Sequence, residues 1–256
     1  MKIKLLIISV LTCSSLVAQV KTEKLSFEFG YGVNNYEMGK LNRYFIDSFA
    51  SKTNPPLLEK KIEKGQTYSL AINYRPSPYF NIGLLAAYQY SRQTSSMELN
   101  ETDNYGNVVD KYNINYALKT EGLSVGLSST LFLNSLFKFQ EKKSKLLSNL
   151  KLGVGLNGGV GFSTVISDVQ SPTYPMSSAY YFFTSTYFQG KAFVDVGYYF
   201  LKSNLFSSVG VKLGYQYFAT KTVQDRFNKD WIVNGEYAMN LDFSGVFLGA
   251  YIMIGR

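Results

Sequence analysis

The 256-residue chain is 46% hydrophobic and 16% aromatic, carries a formal net charge of +8, and contains no histidine and one cysteine. Without histidine, Ser-His-Asp and Cys-His catalysis and the usual His-bearing zinc sites are excluded, and the commonest general base is missing. With Cys13 as the only thiol, no disulfide can form within the chain.

Lys2 and Lys4 precede the apolar run Leu5 to Leu11, and Ser14, Ser15 and the small residue Ala18 follow, which is the order of a secretory signal peptide. Residues 1–18 are therefore expected to be removed, leaving a single domain over 24–256. Thr12 is a poor residue to stand before an acylated cysteine, so cleavage near Ala18 is expected rather than lipidation of Cys13. No run of roughly 20 apolar residues follows, so no transmembrane helix is expected. Loss of Lys2 and Lys4 lowers the net charge to +6, and much of the rest lies in segments such as Lys138 to Lys145. That placement points to a solvated surface and away from nucleic-acid binding.

Beyond the leader, ordered segments alternate with period two, the mark of strands. Phe27, Phe29, Tyr31 and Val33 open the series. Tyr68 to Tyr74 and Phe80 to Tyr88 form a hairpin, and Leu123, Val125, Leu127 and Leu150, Leu152, Val154, Leu156 follow. Ala192 to Phe200 and Val209 to Tyr217 form a second hairpin, and the last strand runs from Leu241 to Ile254. Its apolar residues change from odd to even positions near Ser244 and Gly245, which predicts a β-bulge there. The resulting eight strands are joined by short connections at Arg75–Tyr79 and Leu201–Leu205. Long connections cover 34–65, 100–110, 169–184 and 221–238, and the basic 134–149 segment is long where a short turn is expected.

An eight-stranded antiparallel barrel follows, and its surroundings must be water or lipid. A soluble, lipocalin-like barrel would carry Lys, Glu and Thr on its wet face. Here the second face is mostly Gly, Ser, Ala and Asn, and aromatic residues gather near strand ends at Tyr74, Tyr79, Phe80, Tyr180–Phe183 and Tyr198–Phe200, as in aromatic girdles. A closed barrel is also the β form that satisfies every backbone polar group in lipid. All-β, eight-stranded and transmembrane is thus the expected fold.

The export signal, eight alternating strands and terminal strand resemble the small OmpA/OmpX-like outer-membrane barrels of the Gram-negative cell envelope. The resemblance covers roughly Lys24 to Arg256, although the chain ends Ile254, Gly255, Arg256 where many such barrels end in an aromatic residue. It implies outer-membrane location, contact with membrane lipid and lipopolysaccharide, and an envelope or extracellular protein as partner.

Glu28, Lys151, Lys191, Asp195, Lys212 and Asp242 fall on the non-apolar phase of their strands and are expected to face the lumen. Mixed signs in a narrow interior predict a paired network that plugs it; the alternative is a polar path for a solute. A two-residue turn at Ser203 and Asn204 places Asp195 opposite Lys212, so a salt bridge between them is expected. Met38, Leu41, Phe45 and Phe49 have helical spacing ahead of Pro55 and Pro56, predicting a short amphipathic helix. Its stripe either packs over the barrel mouth or other loops, or forms an interaction surface. The glycines of Gly153–Gly161 lack the Lys-Ser/Thr pair of a phosphate loop and read as small residues inside a narrow barrel. Asp103 and Asp110 sit among turn residues and read as a solvated turn. No cofactor, metal or enzyme activity is expected. A non-conducting barrel that displays its loops is the first functional expectation, a narrow pore or transporter the second, and a carboxylate-based hydrolase a distant third.

Overall fold

A computed structural model describes residues 25–46, 61–102, 105, 107–138, 148–170, 179–200, 206–233 and 235–255. The signal peptide, Cys13, Phe49, Asp103 and the Ser203–Asn204 turn lie outside them. Seven strands run in chain order: β1 (Leu25–Asn35), β2 (Lys64–Ser77), β3 (Phe80–Thr102), β4 (Val108–Phe132), β5 (Leu150–Gln170), β6 (Ala179–Tyr199) and β7 (Phe206–Thr222). Short pieces β8 (Ile232–Val233), β9 (Tyr237–Ala238) and β10 (Asn240–Asp242) precede the closing strand β11 (Gly245–Gly255). Each long strand pairs antiparallel with the next, and β11 pairs with β1 from Ser26↔Gly255 to Asn34↔Phe247, so the ring of eight is closed. No helix among the described residues is long and apolar enough to cross a membrane.

The alternation resolves into an outer and an inner face, as strand pleating requires. Leu70, Leu84, Val125, Leu127, Leu156, Val194, Leu213 and Leu248 point outward and are exposed, Leu127 by 67%. A continuous apolar belt of this kind around a closed ring is the surface that lipid covers. At the end of the short β2–β3 connection, Tyr74, Tyr79 and Phe80 lie at the rim of the belt. At the other end Tyr31, Tyr68 and Tyr88 occupy adjacent strands in register, with the Tyr31 and Tyr68 rings 5.3 Å apart.

Two expectations about the strands are corrected. Residues 100–102, 108–110, 169–170 and 179–184 are strand, not loop, and 91–99 and 111–120, for which no element is expected, are strand as well. β3 and β4 stay paired out to Thr102↔Val108, whereas the β2–β3 ladder ends at Gln66↔Tyr90 and the β6–β7 ladder at Tyr187↔Thr220. The wall β3–β6 therefore projects beyond the ring. It was illegible in the sequence because its outer part is exposed on both faces, while the inward Tyr116 and Leu118 at its base form an apolar phase of only two turns of the pleat. Tyr180, Tyr181 and Phe182 consequently stand on this projection and not in a girdle.

The second correction concerns the bulge. Pairing of the last segment with β7 keeps one register from Asp242↔Ala219 through Gly245↔Gln216, and the Phe243 N–H donates to the Phe218 carbonyl in the same register. The irregularities in this pairing lie between Asn240 and Asp242 and between Met253 and Ile254. Leu241 and Phe243 are buried on the inward phase, while Val246 and Leu248 point outward. What changes near Ser244 is the content of the lumen, from apolar to polar, and not the phase of the strand.

Candidate functional site

The lumen is filled in layers. In the half nearer the short connections, Lys151 of β5 reaches Asp195 of β6 with Nζ 3.0 Å from Oδ2, and it donates to the Tyr251 hydroxyl at 2.8 Å. That hydroxyl donates in turn to Asp195 Oδ1 at 2.7 Å, so three strands converge on one buried triad. Lys151 is 1% exposed, which a charged side chain tolerates only when paired and hydrogen-bonded. Lys212 of β7 forms an ion pair with Glu28 of β1 and lies 4.8 Å above the Tyr251 ring. Lys191, one level higher on β6, is also buried, with its ammonium 5.2 Å from the centre of the Phe247 ring.

Asp195 and Lys212 are opposite each other, as the turn geometry requires, but the expected salt bridge between them is not formed. Asp195 pairs instead with Lys151 of the adjacent strand β5, diagonally across the β5–β6 ladder, and Lys212 reaches past β11 to Glu28 of β1. Asp242 does not join the network. It sits at the end of the long connections, where its carboxylate accepts the Ser244 N–H at 2.9 Å and its carbonyl accepts the Met38 N–H at 2.7 Å.

Above the ions lies an amide layer. Gln89 Nε2 donates to Gln216 Oε1 at 2.7 Å, Tyr36 OH to Gln89 Oε1 at 3.2 Å and Thr67 Oγ1 to Asn34 Oδ1 at 2.8 Å. Gln216 also donates to the Phe243 carbonyl at 2.9 Å. None of these side chains, nor Tyr251, was singled out from the sequence. The available signal was their position on the inward phase of strands already recognised.

The far end of the lumen is apolar. Tyr116, Leu118, Val165, Tyr187 and Phe218 face inward from the strands and meet Met38, Leu41, Phe45, Leu241 and Phe243 from the connections. Tyr187 and Phe218 stack at 3.4 Å, and Phe218 contacts Phe243 at 4.4 Å between ring centres. The proposed interaction surface is thereby corrected: Met38, Leu41 and Phe45 are buried, and Phe49 is outside the described residues. The local helix is a single π-helical turn, Leu41–Ile46, anchored by Asn42, whose amide donates to the Ile62 carbonyl at 2.9 Å and accepts from the Ile62 N–H at 2.9 Å. Trp231, stacked on Phe183 at 4.4 Å and edge-on to Phe45 at 4.9 Å, ties this plug to the β7–β11 connection.

Glycines make room for the filling. A Cβ on Gly161 would overlap the Tyr187 ring, and one on Gly155 would overlap the Phe193 ring. Among the described residues no group of His, Cys, Asp or Glu could hold a metal ion.

An antiparallel ring of eight strands, apolar outside and filled inside, defines a small transmembrane β-barrel of the outer-membrane type. No protein-family profile matches the chain, and no curated protein matches it in sequence. Among solved structures it is similar to Ail, the attachment invasion locus protein of Yersinia pestis, in complex with the heparin analogue sucrose octasulfate. That match has 10% identity over 90% of this chain and 97% of Ail, with a TM-score of 0.38. It is also similar to a major outer membrane protein from Thermus thermophilus, at 12% identity over 90% of this chain and 99% of that one, with a TM-score of 0.40. At such identities and scores these likenesses carry no argument about function, and the class rests on the ring and its apolar belt.

Proposed function

We propose that this protein is a non-conducting structural or interaction protein of the outer membrane, which uses its barrel as a rigid support for an extracellular display. The observation that carries this reading is the filled lumen. An eight-stranded ring leaves an interior about wide enough for side chains. Here that interior holds the Lys151–Asp195–Tyr251 triad, the Glu28–Lys212 pair, the amide layer and the apolar plug. With Met38, Leu41 and Phe45 committed to the plug, the display falls to the projecting β3–β6 wall.

Two features of that wall favour partner binding. Tyr180, Tyr181 and Phe182 are exposed on β6, and aromatic side chains supply much of the energy of protein interfaces. Beyond Tyr90, among the described residues, no strand pairs with the outer edge of β3, leaving a backbone edge of the type that extended peptides join. An extracellular or envelope protein fits this surface, while membrane lipid and lipopolysaccharide surround the belt. Among the described residues no constellation supports catalysis, and no cofactor is assigned. The mature chain is expected to begin near Gln19, which N-terminal sequencing reads directly.

The deciding experiment is conductance in planar bilayers. Purified protein is expected to give no stable channels, and large steady openings would replace this reading with the narrow-pore one.

A further inference from the structure

Between the ion pairs and the amide layer lies a lumenal cavity of about 60 Å³. Lys191, Lys212, Glu28, Asn157, Asn34 and Thr67 contribute to its lining. The charges around it do not balance. Within this middle part of the lumen, among the described residues, the carboxylates are Glu28 and Asp195, whereas Lys151, Lys191 and Lys212 are cationic. Lys151 is taken by Asp195 and Lys212 by Glu28, which leaves Lys191 over.

Lys191 is 8% exposed and makes no ion pair or hydrogen bond among the described residues; the face of Phe247 at 5.2 Å is what its ammonium meets. An aromatic face compensates only a small part of the hydration that a buried ammonium gives up. A second cation, Lys212, borders the same space, and the buried Asn157 Oδ1 lacks a donor, which a water molecule there supplies. The space itself accommodates a small solute, since one water needs roughly 10–15 Å³ of such space.

We propose that this cavity is a binding site for one small monovalent inorganic anion, of the chloride or bromide class, held by the Lys191 ammonium with Lys212 beside it. One negative charge neutralises the unpaired Lys191 ammonium that borders the cavity, and the anion accepts from it, since Lys191 donates to no group among the described residues. Water molecules filling the rest of the space link the ion to Asn157, Asn34 and Thr67, whose side chains are all polar. A divalent anion would reverse the imbalance, and a large organic anion exceeds the volume. The site extends the proposed structural role of the lumen but does not depend on whether the barrel conducts.

The test is urea unfolding of the full mature barrel in neutral-detergent micelles, at constant ionic strength, with sodium chloride replaced stepwise by sodium gluconate. The unfolding midpoint is expected to rise with chloride along a saturating curve, with the folded-to-unfolded ratio up about tenfold at about nine times the Kd. Lys191→Met is expected to lose this response. Equal midpoints in the two salts, or an undiminished response in Lys191→Met, would overturn the proposal. If the variant does not fold, crystals of the unaltered protein grown in bromide decide the matter. An anomalous bromide peak beside Lys191 Nζ supports the site, and water alone at that position rejects it.

Discussion

Asp195 and Lys212 face each other across the β6–β7 ladder, yet each is ion-paired with a different residue, Asp195 with Lys151 and Lys212 with Glu28. Direct opposition aligns their backbones, but each side chain turns to another neighbour: Lys151 is the diagonal neighbour of Asp195 on the adjacent strand β5, whereas Lys212 reaches past β11 to Glu28 of β1. Four charges on four strands thus cross-link β1, β5, β6 and β7, with Tyr251 of β11 bound between Lys151 and Asp195.

Breaking the buried pair on one side is expected to cost more than removing it. Asp195→Leu leaves Lys151 uncompensated and should lower stability by about 3–5 kcal/mol, while Lys151→Met combined with Asp195→Leu should recover most of that loss. Urea midpoints of the two variants in micelles measure the difference, and a double variant less stable than the single one contradicts the assignment.

The plug at the extracellular end is part of the core. Leu41→Ala or Met38→Ala is expected to destabilise the barrel by about 2–5 kcal/mol, the usual range for truncating a fully buried aliphatic side chain. A surface loop at these positions would respond by less than about 0.5 kcal/mol. Retained stability in either variant, read from heat-dependent gel mobility and urea midpoints, would return the segment to the list of binding surfaces.

Gly161 and Tyr187 are matched as small to large across the inner face. Gly161→Ala forces its methyl group into the Tyr187 ring and should cost about 1–3 kcal/mol. In a Tyr187→Ala background the same change should be nearly neutral, although that background is itself weakened. A double-mutant cycle isolates the coupling, and purely additive effects would mean that the two groups do not meet.

The belt distinguishes lipid from water. Leu127→Arg places a charge at an outward position and should destabilise a membrane barrel by about 2–4 kcal/mol if the site is near the bilayer midplane. A soluble barrel would accept an exposed arginine with little change. Folding yield into liposomes, compared between wild type and variant, separates the two, and unimpaired insertion would argue against a lipid-facing position.

Much of this architecture follows from local pattern. Period-two alternation located the eight strands of the ring, because a strand between lipid and lumen must present one apolar and one non-apolar face. Turn length set the register of Asp195 and Lys212 for the same local reason. The lumenal position of Glu28, Lys151, Lys191, Asp195 and Lys212 came from strand phase alone.

The choice of partners did not. Asp195 meets Lys151 through the register of the β5–β6 ladder, and Lys212 meets Glu28 through the stagger with which β7, β11 and β1 close the ring, neither of which a single strand encodes. The interior also changes character along its axis: Tyr116, Leu118, Val165, Tyr187 and Phe218 occupy the phase that is polar lower down. Apolar residues on that phase mark a lumen filled by protein, and their pattern was present in the sequence. It could be read only once Met38, Leu41 and Phe45 were seen folded into the same space, because an inward apolar side chain has no meaning until its neighbours across the lumen are known.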